Sequence, residues 1–243
     1  MSVDACAGLV SRGDPERFAS AMTAPLPLRG DLMVLYAFNL EVAKAPWVTS
    51  EAMLAEMRLQ WWIDALDEIY EGKRPRAHEV VTPLAEVIGR AALPKAPFEA
   101  LIQARRGDIY PEAPVDWAAV WAYLEATGGG LMALAAQILG ADEAWRQEAQ
   151  DFGTLSGAAS LIRAVPELEA RGRRPLPGPA QGLALEALGK LDKLNVPRGL
   201  RPAFAVGSQT KAILKRAARG NPLETSEFSR RWALLWVAST GRI

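Results

Sequence analysis

Three carboxylates, Asp64, Asp67 and Glu68, stand at i, i+3 and i+4. At helical spacing they share one face and offer hard oxygen ligands to a divalent cation. An amphipathic helix also needs charges on its solvated side, and no second acidic cluster completes a site, so the solvated-face reading outweighs metal binding. A second constellation is basic: Arg163, Arg171, Arg173 and Arg174 flank one loop, and guanidinium forks suit phosphate or carboxylate oxygens. Glu167 and Glu169 lie among them, which leaves open both an internally paired loop and an anion- or partner-binding site. The run Gly128 to Gly130 has no Lys-Ser or Lys-Thr after it and no strand before it, so it reads as a place of close helix packing rather than a phosphate cradle. His78, the single histidine, has no motif-level Ser or Cys partner and reads as a surface residue or a cap. Near the end of the sequence, Phe228, Trp232, Leu235 and Trp236 beside Arg230 and Arg231 form a set suited to a membrane surface, although core packing of a closing helix is the stronger expectation.

The elements that must position these residues read as helices throughout. Asp14-Pro15 supplies a cap and a first-position proline for a helix to about residue 22, ended by Pro25 and Pro27. Residues 29 to 44 place Leu32, Leu35, Tyr36, Asn39 and Ala43 on one face. Thr49-Ser50 caps a helix over 50 to 71, with Leu54, Met57, Trp61, Trp62, Leu66, Ile69 and Tyr70 as its apolar set. Further helices are predicted over 78–91, 96–108, 116–139 and 143–164. A loop over 166–180 follows, then helices over 181–192, 199–219 and 225–239. Strand alternation is nowhere convincing.

The bulk composition excludes several classes. Of 243 residues, 50% are hydrophobic, and Lys plus Arg balance Asp plus Glu at 28 each, so no global positive field draws the chain to nucleic acid. One domain over residues 1–243 is the expectation. A lone cysteine, Cys6, and a lone histidine exclude an internal disulfide and the usual structural zinc sets. Cytoplasm-like reducing conditions fit. The first fifteen residues lack an apolar or Arg-rich leader pattern, so no targeting segment is expected. The longest uncharged stretch, 126 to 141, contains four glycines and falls short of the ~20 apolar residues of a membrane span. Contact with a membrane would be peripheral at most.

Read in order, several segments resemble the squalene/phytoene synthase family over residues 14 to 180. They are Asp14-Pro15-Glu16-Arg17-Phe18, Leu35-Tyr36-Ala37-Phe38, the Trp61-Trp62 helix leading to Gly72 and His78, Asp108, the stretch from Tyr123 to Gly130, Leu161-Ile162-Arg163, Gly172-Arg173 and Leu176-Pro177. The resemblance implies an all-α, single-domain isoprenoid-synthase-like helical bundle. Enzymes of the family join two prenyl diphosphates with acid-rich motifs that hold magnesium. Where they carry an arginine and a D-D-x-x-D run, this sequence has Leu40, Ala43, Lys44 and Trp47. Where they carry N-x-x-R-D-x-x-x-D, it has Ser160, Arg163, Ala164 and Leu168. The resemblance therefore implies neither a bound metal nor a cofactor, and Lys44 would put a positive charge where a cation belongs.

This pattern is similar to one branch of the family, the assembly factor of respiratory complex I. The similarity lies in Phe38-Asn39-Leu40-Glu41-Val42-Ala43, Met57 to Trp62 with Asp67-Glu68-Ile69-Tyr70, and Arg163-Ala164-Val165-Pro166. It implies a non-catalytic scaffold for a respiratory membrane complex, cytoplasmic or peripheral to the inner membrane, and the Ala-, Arg- and Gly-rich composition fits a bacterium. Two rivals stay open. One is a prenyl transferase whose metal site has moved to Asp64, Asp67, Glu68 and Asp108. The other is a module that binds an isoprenoid or quinone without reacting it.

Overall fold

A computed structural model describes residues 3–49, 51–110 and 112–243. Thirteen α-helices run through these residues with no strand among them, and one isolated antiparallel bridge joins Asn195 to Arg242. The first three are α1 (Val3–Gly13), α2 (Pro15–Met22) and α3 (Leu26–Lys44). Asp14 caps α2 as its type and place predict, its carboxylate accepting from the Arg17 backbone N–H at 2.9 Å. The sequence reading missed α1. Its signal is short: Cys6 and Val10, one turn apart, are its buried residues, and it packs on α3. Burial pushes the Cys6 thiol up to about 11, with Glu79 adding to the effect. Pro25 and Pro27 do not merely end α2. Pro25 is the N-cap of α3 and Pro27 lies in its first turn, where a missing N–H costs nothing, so α3 begins at Leu26 rather than residue 29.

Helix α3 is buried from Asp31 to Asn39, the signature of a central element. Around it stand α4 (Ala52–Tyr70), α5 (Val81–Ala91), α6 (Lys95–Arg105) and α8 (Gly130–Ile138), with Phe38 edge-on to Trp62 at 5.4 Å and to Phe98 at 5.2 Å. The N-cap of α4 is Glu51, whose side chain makes no capping bond, and not the predicted Thr49-Ser50 pair. The Thr49 hydroxyl accepts from the Glu51 N–H at 3.1 Å, and Ser50 lies outside the described residues. The buried stripe of α4 is Ala55, Leu59, Trp62, Ala65 and Leu66, while Leu54 and Met57 are exposed, contrary to the predicted apolar set.

A second apolar cluster joins α7 (Trp117–Leu124), α10 (Ala180–Gly189) and α12 (Thr210–Ala218) to the middle of the long α9 (Glu143–Ala170). Helix α9 contributes Phe152 to the first cluster and Leu155, Ala158 and Ile162 to the second, so it ties the two together. Helices α11 (Arg201–Phe204) and α13 (Glu227–Thr240) complete the chain.

Three boundaries differ from the sequence reading for identifiable reasons. Helix α9 continues through Pro166 to Ala170 and stops at Gly172, whose positive φ of 76° lets the Arg173 N–H close back on the Leu168 carbonyl. The segment 116–139 is interrupted by a π turn, Glu125–Gly129. The segment 199–219 breaks at a 3-10 turn, Ala205–Gly207, whose Gly207 lies so close to Phe152 that an added Cβ would strike the ring.

Candidate functional site

A cavity of about 1300 Å³ opens between α2, α3, α6, the α7–α8 connection and α9. The face of α3 that the periodicity picked out supplies Tyr36, Asn39 and Ala43 to its wall. Opposite, the glycine run lets α9 approach closely. A Cβ on Gly128 would lie 2.6 Å from the Gly153 carbonyl oxygen, and one on Gly129 would lie 2.5 Å from Thr154 Oγ1. Close packing is thus what these glycines provide, and their backbone also lines the cavity through Gly128, Gly153 and Gly157.

Two Arg–Asp–Tyr groups stand in the wall. Arg17 Nη1 donates to Asp14 at 2.5 Å, and its guanidinium lies 5.8 Å from the Tyr36 ring centre. Arg105 donates to Asp108 at 3.0 Å and to the Tyr123 hydroxyl at 2.5 Å, and that hydroxyl donates to Asp108 at 3.1 Å. Burial pushes the Tyr36 hydroxyl up to about 12, with the nearby Arg17 charge opposing it, and burial raises Tyr123 as well. Burial works against the Arg17 charge, but Asp14 outweighs it and the group stays cationic above its ordinary value. The sequence reading did not place Arg17, Tyr36, Arg105 or Tyr123 in a site. The available signal was an Arg–Asp pair three residues apart at two helix ends, Asp14 to Arg17 and Arg105 to Asp108.

All four arginines of the predicted basic set line the cavity. Arg163 is engaged by Glu16 at 2.9 Å and Arg171 by Glu167 at 2.5 Å, across or beside the opening. Arg173 lies 5.0 Å over the Trp47 ring and Arg171 5.7 Å from it. Arg173 Nη1 is buried with no hydrogen-bond partner, and Arg174 has no ion-pair partner among the described residues. The basic set was expected as a loop. The extension of α9 makes residues 166–170 of that loop its last turn, with Arg171 as the C-cap and Arg173 and Arg174 beyond it.

Of the seven positions at which the family's ligands would stand, Ala43, Trp47, Ser160, Ala164 and Leu168 line the cavity. Leu40 and Lys44 do not. Leu40 packs toward Gly13, and the Lys44 ammonium turns outward to Glu41 at 3.2 Å, which corrects the reading that it occupies a cation's place. The candidate relocated acids are scattered. Glu68 is held by Arg76 through two 2.9 Å bonds, Asp67 by Lys95 at 2.7 Å, and Asp64 by Gln60 at 2.8 Å. None of these three lines the cavity, so they do not join Asp108, which does. Of the five acids that line it, Asp14, Glu16, Asp108 and Glu167 are each taken by an arginine, and Glu112 is exposed at the opening without an ion pair among the described residues. Among the described residues no group of three or more His, Cys, Asp or Glu is placed to hold a metal ion, so this donor set does not fit the magnesium cluster the fold implies. His78 accepts from the Val80 N–H at 3.2 Å and packs against Trp61 and Trp62, a structural role near the start of α5.

The sequence matches the squalene/phytoene synthase profile over residues 10–242, and the chain belongs to that family. It is similar to NADH dehydrogenase (ubiquinone) complex I assembly factor 6 of Bos taurus, 28% identical over 173 residues, covering 71% of this chain and 52% of that protein. The homolog in Drosophila melanogaster is 29% identical over 176 residues, covering 66% and 50%. The chain thus spans about half the length of the curated relatives it matches. Among solved structures, a dehydrosqualene synthase in complex with ligand superposes with a TM-score of 0.79 at 16% identity, covering 98% of this chain and 95% of that one. A squalene synthase from Alicyclobacillus acidocaldarius gives 0.66 at 16%, covering 97% and 92%. At that identity the likeness is one of fold.

Proposed function

We propose that this member of the squalene/phytoene synthase family does not couple prenyl diphosphates and instead assists assembly of a respiratory membrane complex of the complex I type. The observation that carries the reading is the lining of the cavity. Ala43, Trp47, Ala164 and Leu168 stand where the motifs call for carboxylates and Ser160 where they call for an asparagine, and four of the five acids that line the cavity are spent on arginines. Ionising a diphosphate in an apolar cavity has a high barrier unless cations bind the departing oxygens. The names of the relatives support the assembly half of the reading. Deleting the gene in its host should lower the amount of assembled complex, and re-supplying the chain should restore it; an unchanged complex sinks the assembly role.

One observation favours a second reading, a cavity that holds an isoprenoid or quinone without reacting it. Its volume of about 1300 Å³ exceeds the roughly 300–1,000 Å³ of most ligand pockets, and Val120, Leu124, Leu131 and Met132 give it apolar walls. At its rim, Arg173 and Arg174 are the anion- or partner-binding pair, since Arg163 and Arg171 are already neutralised. Isothermal titration with a short-chain quinone or a prenyl alcohol decides. Magnesium-independent binding supports the module, and absence of heat with either ligand removes it.

A further inference from the structure

Helix α13 carries Phe228, Trp232, Leu235 and Trp236 at i, i+4, i+7 and i+8, one continuous stripe. Core packing was the stronger sequence expectation for it, and the structure reverses that. The four side chains are 78%, 60%, 55% and 49% exposed, while Val237 on the opposite side is 3% exposed and makes the inward contact. Three aromatics of ~150–250 Å² each, half exposed or more, make a patch of several hundred Å², at the upper end for a face that nothing covers. The patch is firmly mounted. Arg201 donates to the Ser239 carbonyl at 2.5 Å, Gln209 to the Ser229 carbonyl at 3.2 Å, and Val196 to the Gly241 carbonyl at 2.8 Å.

Charge identifies the occupant. From Thr210 to Ile243 the sequence has seven lysines and arginines and two glutamates, although the whole chain is balanced at 28 and 28. Arg230 and Arg231 border the stripe within this basic region, Arg231 in a solvent-exposed pair with Glu227 at 2.5 Å that holds it only weakly. We infer that α13 is a docking helix for the surface of a bilayer containing anionic lipid, with its tryptophans at headgroup depth and the neighbouring cations on lipid phosphates. At 14 residues it is ~21 Å long, too short to cross a hydrocarbon core of ~30 Å, so it lies in the interface. A second copy of the chain is a poorer occupant, because a two-fold contact would set one basic segment against another. The inference goes beyond the assembly role and does not depend on it.

The test is flotation of the full chain with vesicles of phosphatidylcholine alone and of phosphatidylcholine with phosphatidylglycerol, at low and high salt. The intact protein should float with the anionic vesicles about tenfold more tightly than with the neutral ones, lose that preference at high salt, and show a blue shift of tryptophan fluorescence. The double variant W232S/W236S should lose most of the binding with its melting temperature and circular dichroism unchanged; R230Q/R231Q, which leaves the stripe intact, should lose the lipid preference. Flotation that is absent with anionic vesicles, or equal in the intact chain and W232S/W236S, overturns the inference. So does a stable dimer that W232S/W236S abolishes.

Discussion

Arg173 lines the cavity and carries the sharpest prediction about it. Its guanidinium is stacked on Trp47 and keeps a buried N–H without a partner. An anion entering the cavity satisfies that group, so Arg173→Ala should weaken binding of inorganic diphosphate about tenfold, the scale of one charge-assisted hydrogen bond. Lys44→Ala should leave it unchanged, because Lys44 faces Glu41 outside the cavity; titration calorimetry on both variants separates the two. Tyr36 carries a prediction about pH. Its hydroxyl is raised from 10 to about 12 in the folded protein, so the unfolded chain ionises first as pH rises. The contribution is intact below pH ~10 and is lost as pH climbs toward 12, a difference of roughly 3 kcal/mol for the full shift. Thermal melts across that window should fall less steeply in Tyr36→Phe. At this scale the sequence named Trp47, Ser160 and the arginines by motif position. It left Tyr36 and Arg105 unassigned, because their place depends on which helix faces which.

The elements were legible where local chemistry decides and illegible where tertiary contact does. The cap at Asp14, one apolar face of α3 and the glycine crossing followed from residue type, whereas the burial of α3 on every side from Asp31 to Asn39 did not. The stop of α9 did not. Pro166 looked decisive, but one lost ladder bond is outweighed by the bonds on either side and by Gly172 beyond them. That extension carries Glu167, Leu168 and Arg171 to the cavity. The crossing of the glycine run with α9 has no slack. Gly153→Ala would drive a Cβ to 2.6 Å from the Gly128 carbonyl oxygen and 2.7 Å from Met132 Cβ, neither of which is a flexible side-chain end. It should destabilise the protein by about 1–3 kcal/mol in a denaturant titration, whereas Gly89→Ala, inside α5 where the added methyl meets nothing, should stabilise it by up to about 1 kcal/mol.

Across the whole molecule, the bundle of the family encloses a large cavity, and on the proposed reading alanine, leucine and tryptophan stand in its wall where a synthase would need carboxylates, with arginines at the rim. The fold was readable from the order and spacing of weak motifs, since each marks a packing or turning point that the bundle needs. The cavity was not, because an enclosed volume is a property of how α3 and α9 stand apart and no single segment encodes it. The proposed loss of ligands rests on the sequence, position by position. Its chemical consequence is tested most directly by incubating the purified chain with farnesyl or geranylgeranyl diphosphate and magnesium and following diphosphate release and hydrocarbon product. The account predicts neither above the protein-free rate; condensation at an ordinary enzymatic turnover, on the order of 1 s⁻¹ or faster, contradicts it.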